Sequence, residues 1–592
     1  MSAQRLIDRL LPLDELRETV RRFPLSVMCA LILFVISILS IHNIVDFDGE
    51  IIGRIVFVVA CCYFWFGISK LMSESQEWST VKHYSVSFIV AAGIASLFAL
   101  SNVWAIHLIF LMPALLLGIM IAPYIKGGDD LSFWFFNRMM WFGVVISYAA
   151  LIMFAGGLSA ALGAINVLFG VKVYGEIYGD IWSFAALVLG PVYALSWVPK
   201  KFEFTQEDCN DPPGLKFIVN WISAPMVFVY LLILYAYFGK IVITGEVPNG
   251  YLALLISGFA GAGIVTYLVA WPLREEGSPQ LRFFYKIFFP ALLIPVCFHF
   301  YAIWERVDAY GITEQRYLII ISSIWFMLSA LGYSFSKMPI KFIPMILAVL
   351  MLFGSFGPWG GVSVSGQSQY ARLETLLNKH NLIVDGKAVK ATEEIPFEDR
   401  LGISSTLDYL CSTNRDELVV PTFGGFEKCK AREMTKSIGI EHVSRYMRNS
   451  NYESFTLNSD SNKHPINVDG FSILLPKQNV YLDRNPKKAN GKQWQYKNSE
   501  DVGVIAYYES GRLYIGFDGH GQISFSVEEF ARAEFKKDPT HNRRDLILES
   551  EDSGLKVKVI FSRINLRRDK NEDIEWGEYR INNFNFRALI GY

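Results

Sequence analysis

Apolar runs long enough to cross a lipid hydrocarbon core of about 30 Å recur through the first part of this chain, and they restrict its fold more than any other feature. Eleven can be counted, over residues 25–44, 51–71, 84–100, 104–125, 142–165, 181–198, 215–238, 251–271, 283–304, 317–335 and 342–356, the last of them short. In hydrocarbon an unpaired backbone amide has no water to turn to, so only helices and closed barrels can span. Runs of about 20 residues suit helices, whereas a spanning strand needs only about 10. The expected class is a polytopic α-helical membrane bundle of about 11 spans.

Composition then shows where the bundle stops. Of 592 residues 52% are hydrophobic and 19% charged, too apolar a balance for a soluble enzyme of this size. The charge is unevenly placed: residues 1–356 hold 22 Lys and Arg and 23 Asp and Glu, while residues 357–592 hold 33 of each. The chain is therefore written for two solvents. Neither part has the basic excess that would point to nucleic acid, and no nucleic-acid partner is expected. A breaker cluster, Phe356-Gly357-Pro358-Trp359-Gly360-Gly361, marks the boundary between a transmembrane domain at 25–356 and a soluble domain at 357–592.

Ahead of the first run, Leu6, Ile7, Leu10, Leu11 and Leu13 alternate with Arg5, Asp8 and Arg9. Residues 1–24 thus read as a short amphipathic leader on the cytoplasmic surface, broken near Pro12, or as a plain carrier of topogenic charge. The first run has no small-residue cleavage pattern after a short core, so it is expected to be kept as a span.

Orientation follows from the bias of Lys and Arg against translocation. With the N-terminus cytoplasmic, 17 basic residues before Phe356 fall inside and 5 fall outside, namely Arg54, Lys172, Lys240, Arg306 and Arg316. An odd number of spans then puts the soluble domain on the far side. Within the spans, Gly156, Ala160 and Ala164, and again Gly258 and Ala262, form small faces that would let helices approach closely. Pro113, Pro191, Pro225, Pro290 and Pro295 each remove a backbone bond and are expected to disturb their helices.

The soluble part mixes patterns. Residues 369–380, 400–410 and 440–447 have helical periodicity. Later segments alternate as strands do: 502–508 and 512–517 around a turn at 509–511, then 523–527 after Asp518-Gly519-His520-Gly521, then 546–549, 555–564 and 579–589. A soluble α+β domain with a mainly antiparallel sheet is expected. Of seven cysteines, Cys29, Cys61, Cys62 and Cys297 lie in spans, and Cys209 in a predicted cytoplasmic loop. The soluble domain holds only Cys411 and Cys429, which in an oxidising compartment suit a disulfide, two free thiols being the alternative. Two cysteines without neighbouring histidines cannot supply a zinc site.

Chemistry is harder to read. The chain has no Gly-x-x-x-x-Gly-Lys-Ser/Thr, no His-Glu-x-x-His and no Gly-x-Ser-x-Gly, so no cofactor is expected and an enzyme is the less favoured reading. A site of scattered loop residues remains open. One constellation stands out under the predicted topology. His42 ends the first span, and His107 and His299 lie roughly 5 to 8 Å inside the outer ends of the fourth and ninth. Beside them are outer-loop charges, chiefly Glu305, Arg306, Asp308 and Arg316, with Asp46, Asp48, Glu50 and Asp180 nearby. Such groups can bind a proton, a metal or an anionic headgroup, and equally they can be ordinary interfacial histidines among solvated charges.

Residues 306–316, with Tyr310-Gly311-Ile312-Thr313 and then Arg316 at the start of a span, resemble a family of bacterial multipass membrane proteins catalogued as domain of unknown function 4153. So do Phe136-Asn137-Arg138, Phe356-Gly357-Pro358-Trp359 with Ser363, Ser365 and Ser368-Gln369-Tyr370-Ala371-Arg372-Leu373, and Asp385-Gly386-Lys387. The resemblance covers most of residues 20–420. It implies a bacterial cytoplasmic (inner) membrane protein, and brings no reaction, ligand or catalytic residue; with the orientation read from the basic residues, the soluble domain is then expected to be periplasmic. Gly311 permits a tight turn and Thr313 can cap the next helix, so the motif has a structural reading.

Three functions fit. An envelope-associated binding or sensing module would use the soluble domain to engage an envelope protein or lipid-linked ligand, with the bundle as anchor among membrane lipids. A transporter of a small solute or lipid would use the disturbed helices, although few charges lie deep in the spans. A membrane-embedded enzyme would act on a lipid-linked substrate through the outer-leaflet histidines and acids. The orientation is checked directly: alkaline phosphatase fused after Tyr592 should be active, and a fluorescent protein that folds only in the cytoplasm should be dark there. The reverse pair of results would mean that the spans are miscounted.

Overall fold

The computed structural model describes residues 13–592 apart from 46–47, 172, 209–212, 246–251, 276, 445–451, 460–467, 482–493, 498–502, 510, 518–520, 538–545, 553 and 570–579. The leader sequence up to Pro12, and the turn residues Ser510 and Asp518 to His520, therefore lie outside the described residues. The chain forms two compact units, Met1–Val443 and Ser444–Tyr592.

The first unit opens with a short helix α1 (Leu13–Arg22). Ten helices long and apolar enough to cross a membrane follow among the described residues: α2 (Pro24–Ile41), α3 (Gly49–Ser75), α4 (Thr80–Leu100), α5 (Trp104–Tyr124), α6 (Asp130–Phe169), α7 (Gly175–Ser196), α8 (Gly214–Thr244), α9 (Leu252–Val269), α10 (Pro279–Tyr310) and α11 (Glu314–Phe335). The eleventh apolar segment is the shorter α12 (Phe342–Gly354). Polar loop residues close the helix starts: Asp48, Ser79, Asp129 and Ser278 each accept backbone N–H bonds from the first turn of α3, α4, α6 and α10. The longest helix, α6, starts 12 residues before the apolar run at 142. Asn137 donates to Met120 O (3.2 Å) and Phe133 O (2.9 Å), and Arg138 lies over the Trp134 and Phe135 rings.

The prolines act as expected at two positions. The helix widens to a π-turn at Ala185–Leu189 just before Pro191, and at Ile218–Ser223 just before Pro225. The extra residue per turn makes room for a ring that would otherwise strike the preceding carbonyl. Pro113, Pro290 and Pro295 stay inside continuous α-helices.

The small faces are a correction. A side chain at Gly156 or Gly258 would meet nothing within 4 Å, and Ala160, Ala164 and Ala262 are exposed. Close approach occurs instead at Gly143, against Trp197, and at Gly263, where a Cβ would overlap the Phe288 ring. Spacing by four identifies a face; it does not say whether protein or lipid covers it.

After α12 the unit continues with α13 (Gly361–Lys379), a hairpin of β1 (Ile383–Val384) and β2 (Lys387–Ala388), α14 (Phe397–Ser412), α15 (Asp416–Phe423) and α16 (Ala431–Ser437). Leu373, Leu377, Ile403, Leu407, Leu410, Val419 and Met434 form their common core. Cys411, at the end of α14, and Cys429, ahead of α16, are bonded, with Cα atoms 4.9 Å apart. The helix expected at 440–447 is corrected. α16 ends earlier because Gly439 takes φ +74° and Ile440 N–H turns back to Thr435 O (3.0 Å), which leaves 440–444 outside any helix. Residues 445–447 lie outside the described residues.

The second unit is a two-sheet sandwich. One sheet has the order β3 (Tyr452–Asn458), β10 (Leu555–Asp569), β11 (Arg580–Gly591), β4 (Ile473–Tyr481), with β9 (Ile547–Asp552) also on β10. The other runs β5 (Trp494–Lys497), β6 (Gly503–Glu509), β7 (Arg512–Phe517), β8 (Gly521–Ser526). Every pairing is antiparallel. Leu457, Phe561 and Phe584 from the first sheet and Ala506, Leu513 and Ile515 from the second share one core with Ala531 of a helix α17 (Val527–Lys537).

The two glycine environments give a direct test. Gly263→Val forces a branched side chain into the Phe288 ring, and overpacking of that kind costs about 2 kcal/mol. Gly258→Val should leave the melting temperature of the detergent-purified protein within a degree or two of wild type. Equal losses from both would contradict the packing described.

Candidate functional site

The segment that resembles the known family becomes a site only when the fold brings its pieces together. α10 ends at Tyr310, and Gly311 turns the chain with φ +68°, a backbone setting that other residues rarely adopt. A Cβ there would also come within 2.8 Å of Gln369 Nε2. That amide, on α13, donates to Tyr310 O (2.8 Å) and Ile312 O (3.1 Å), while Ser368 Oγ accepts from Ile312 N–H (2.9 Å). Arg316 donates to the Tyr310 and Gly311 carbonyls at 3.0 and 2.6 Å. The turn is thereby held from both sides. Thr313 precedes α11 but its side chain makes no capping bond, which corrects the role expected for it.

Glu314, the first residue of α11, is the centre of this arrangement. It is 8% exposed and faces Arg415, 3% exposed, at 2.6 Å. Tyr409 OH lies 2.7 Å from both carboxylate oxygens, and Ser365 Oγ lies 2.8 Å from Oε1. Arg415 spends its remaining donors on Val362 O (2.6 Å), Ser365 Oγ (2.8 Å) and Thr413 Oγ1 (3.2 Å). Gly366 makes this possible, since a Cβ at that position would overlap the guanidinium. Burial, with the Glu314 charge beside it, holds the Tyr409 phenol above its ordinary value and keeps it a donor. The cluster joins the start of a membrane-crossing helix to α13, α14 and the turn before α15. With its polar atoms engaged by one another, its chemistry is that of a clamp.

The residues singled out from sequence fall in separate places. His42 lies 3.0 Å from both Asp180 oxygens in a half-exposed pair. His107 is buried, with Nδ1 2.5 Å from Ser355 O and Nε2 3.1 Å from Ser101 Oγ. His299 is fully buried, with Ser323 Oγ at 2.7 Å, Ser257 Oγ at 3.0 Å and Ala253 O at 3.1 Å. These three sets of partners share no residue. Glu305 accepts from Tyr301 OH (2.9 Å), and Glu305, Arg306 and Asp308 are exposed. Of the predicted group Arg316 lies beside the clamp, where it holds the Gly311 turn. Among the described residues no three His, Cys, Asp or Glu side chains are grouped to hold a metal ion.

The second unit carries a different surface. On the five-stranded sheet, Arg563 of β10 stands opposite Asn458 of β3 and Asn585 of β11, and Asn585 stands opposite Asn479 of β4. The next row holds Thr456, Asn565 and Asn583, bonded in series at 2.7 and 2.5 Å. The neighbouring positions Leu457, Ile564, Phe584 and Phe586 point to the core, as a period of two requires. A groove of about 270 Å³ opens here, lined by Asn458, Ser459, Lys477, Ser562, Arg563 and Asn585. β-bulges interrupt the register between Phe561 and Arg563 and between Phe586 and Ala588, and bulges re-aim side chains next to binding sites. Sequence reading missed this face because it needs the register of four strands. The only local signal is the alternation in Asn582-Asn583-Phe584-Asn585-Phe586.

A family model described as "Domain of unknown function (DUF4153)" matches residues 25–395, more than half of the chain. An uncharacterized protein of Pasteurella multocida is 27% identical over 178 residues, which cover 30% of this chain and 30% of that protein. No solved structure matches the chain.

The clamp predicts its own mutant series. Removing one partner of a buried, hydrogen-bonded ion pair strands the other charge, at about 3–5 kcal/mol. Arg415→Gln and Glu314→Gln should therefore each lower heat stability sharply in the purified protein, and the double variant should lose much less than their sum. Additive, small losses would mean that the pair is not coupled.

Proposed function

The chain belongs to the DUF4153 family, and from that premise we propose that it is an envelope-associated binding module: a multipass anchor carrying a sheet domain that takes a polyhydroxylated, anionic ligand of the glycan class. In this reading the membrane is the bacterial cytoplasmic membrane, the N-terminus is cytoplasmic and the sheet domain is periplasmic. The 17-to-5 distribution of basic residues supports that orientation.

The observation that carries the reading is the amide row on the five-stranded sheet. An Asn side chain has two donors and one acceptor carbonyl, the complement of a sugar's vicinal hydroxyls, and the capacity left after the bonds within the rows can meet a ligand. Asn458, Asn479 and Asn585 lie in one cross-strand row with Arg563, while Asn565 and Asn583 lie in the next. Lys477 and Arg563 at the same groove add charge for a carboxylate or phosphate on the ligand. A face meant only for solvent has no need of bulges that shape it. The site is open, polar and built on strands, which suits binding a polymer along the sheet.

Titration of the full-length protein in detergent with soluble cell-wall glycan fragments and with phosphorylated oligosaccharides tests the proposal. Arg563→Ala and Asn585→Ala should each weaken the bound ligand about tenfold, a loss of about 1.4 kcal/mol. Glu551→Gln on β9 should not. Wild-type protein that binds none of these compounds, or an Arg563→Ala variant that binds as well as wild type, would sink the reading.

A further inference from the structure

At the junction of α1 and α2 lies a groove that the proposed function does not use. It has a volume of about 220 Å³ and is bounded by Arg21, Arg22, Lys70, His83, Trp78 and Tyr84, with Leu25 and Phe66 closing its apolar side. The elements that form it are the junction of α1 and α2, the last turns of α3 and the first turn of α4. Its lining holds three cationic side chains and no carboxylate. An acid beside it, Glu74, is already committed, to Arg22 at 2.7 Å and to Lys70 at 3.4 Å. Arg22 is further fixed by the Val198 and Pro199 carbonyls at 2.7 and 2.9 Å. Two cations against one acid leave a positive charge, and Arg21, exposed and without an ion pair among the described residues, adds another. The positive end of the α4 dipole enters the same space at Thr80.

What surrounds the groove identifies its ligand. The helices beneath it leave Met28, Leu31 and Ile32 of α2 and Phe88 and Ile89 of α4 exposed, on segments that cross a membrane. A free anion would satisfy the cations and make no use of that surface. A lipid would fill both, with its phosphate among the cations and its chains along the exposed apolar side chains. Trp78 and Tyr84 stand between the two zones, where aromatic residues with a polar edge are favoured.

We infer that Arg21, Lys70 and His83 form a binding site for the phosphate group of an anionic membrane lipid, with the acyl chains lying along α2 and α4. The site is independent of the sheet groove, so either can fail without the other.

The test uses the whole protein, purified in a mild non-ionic detergent and titrated with phosphatidylglycerol, with phosphatidylcholine and with inorganic phosphate, bound molecules being counted by native mass spectrometry. Wild type should retain phosphatidylglycerol in preference to phosphatidylcholine. Arg21→Gln and Lys70→Gln should each weaken it about tenfold, while Arg21→Lys should restore most of the affinity. Lys240→Gln, at an exposed basic residue on α8, should leave it unchanged. Arg21 is exposed and makes no hydrogen bond or ion pair among the described residues, so the Arg21→Gln protein should melt with wild type and remain interpretable if the Lys70 variant does not fold. Equal retention of phosphatidylglycerol by wild type and Arg21→Gln would overturn the site. Inorganic phosphate binding there with no preference for the lipid would overturn the lipid assignment.

Discussion

A backbone amide in hydrocarbon must find its partner within the protein, and the architecture of the first unit follows from that constraint. It accounts for helices wherever the chain is apolar for about 20 residues, and for side-chain caps where helices emerge at Asp48, Ser79, Asp129 and Ser278. It also accounts for the exceptions. Where Pro191 and Pro225 remove a donor, the helix widens by one residue rather than breaking. Several polar side chains inside the bundle bond to one another, as Ser69 does to Ser87 at 2.7 Å and His299 to Ser257 and Ser323. These contacts place few formal charges among the spans, and the charges present lie near the helix ends.

The charged pair that is buried therefore needs a reason, and the reason is positional. Glu314 begins a membrane-crossing helix and Arg415 lies 101 residues later, beyond the last apolar segment. Taking both out of water is costly unless nearly every donor and acceptor is met. Here Ser365, Tyr409, Thr413 and Val362 complete the set. The same α13 that supplies Ser365 also supplies Gln369 and Ser368 to the Gly311 turn. One helix thus reads both sides of the α10–α11 corner, which draws sequence features that lie far apart into one structural set.

Much of this was legible in the sequence, and what was not has a common cause. Among the described residues, apolar runs located the ten long apolar helices and the shorter α12, because length and hydropathy are local properties. Alternation found β6 and β7, and a single pair of cysteines in the soluble part indicated the bond between Cys411 and Cys429. The small-residue faces at Gly156 and Gly258 misled because lipid and protein are equally apolar neighbours. The histidines drew attention by depth alone, yet depth does not fix azimuth, and each found different partners. Glu314 was passed over although it adjoins the recognised motif, since nothing local shows that Arg415 will reach it. The amide row was invisible for the same reason: Asn458, Arg563 and Asn585 become neighbours only through strand register. β3 and β4, which carry two of its edges, were not recognised as strands at all.

The clamp also bears on how the helical segment after α12 can be seated. A hydrophobic contact tolerates sliding by a few ångströms, whereas a guanidinium presents its donors in one plane and at fixed angles. Arg415 must reach Glu314 and Ser365 through one nitrogen, Val362 O through another and Thr413 through the third. It does so over Gly366, where a Cβ would overlap the guanidinium. A shift of one helical turn would bring Gln369 away from the Tyr310 carbonyl and leave Glu314 buried without its cation. Sliding is thus coupled to stranding a charge, and the two costs fall on the same displacement. The ion pair need not add net stability to be decisive; it makes every alternative seating worse than the one observed.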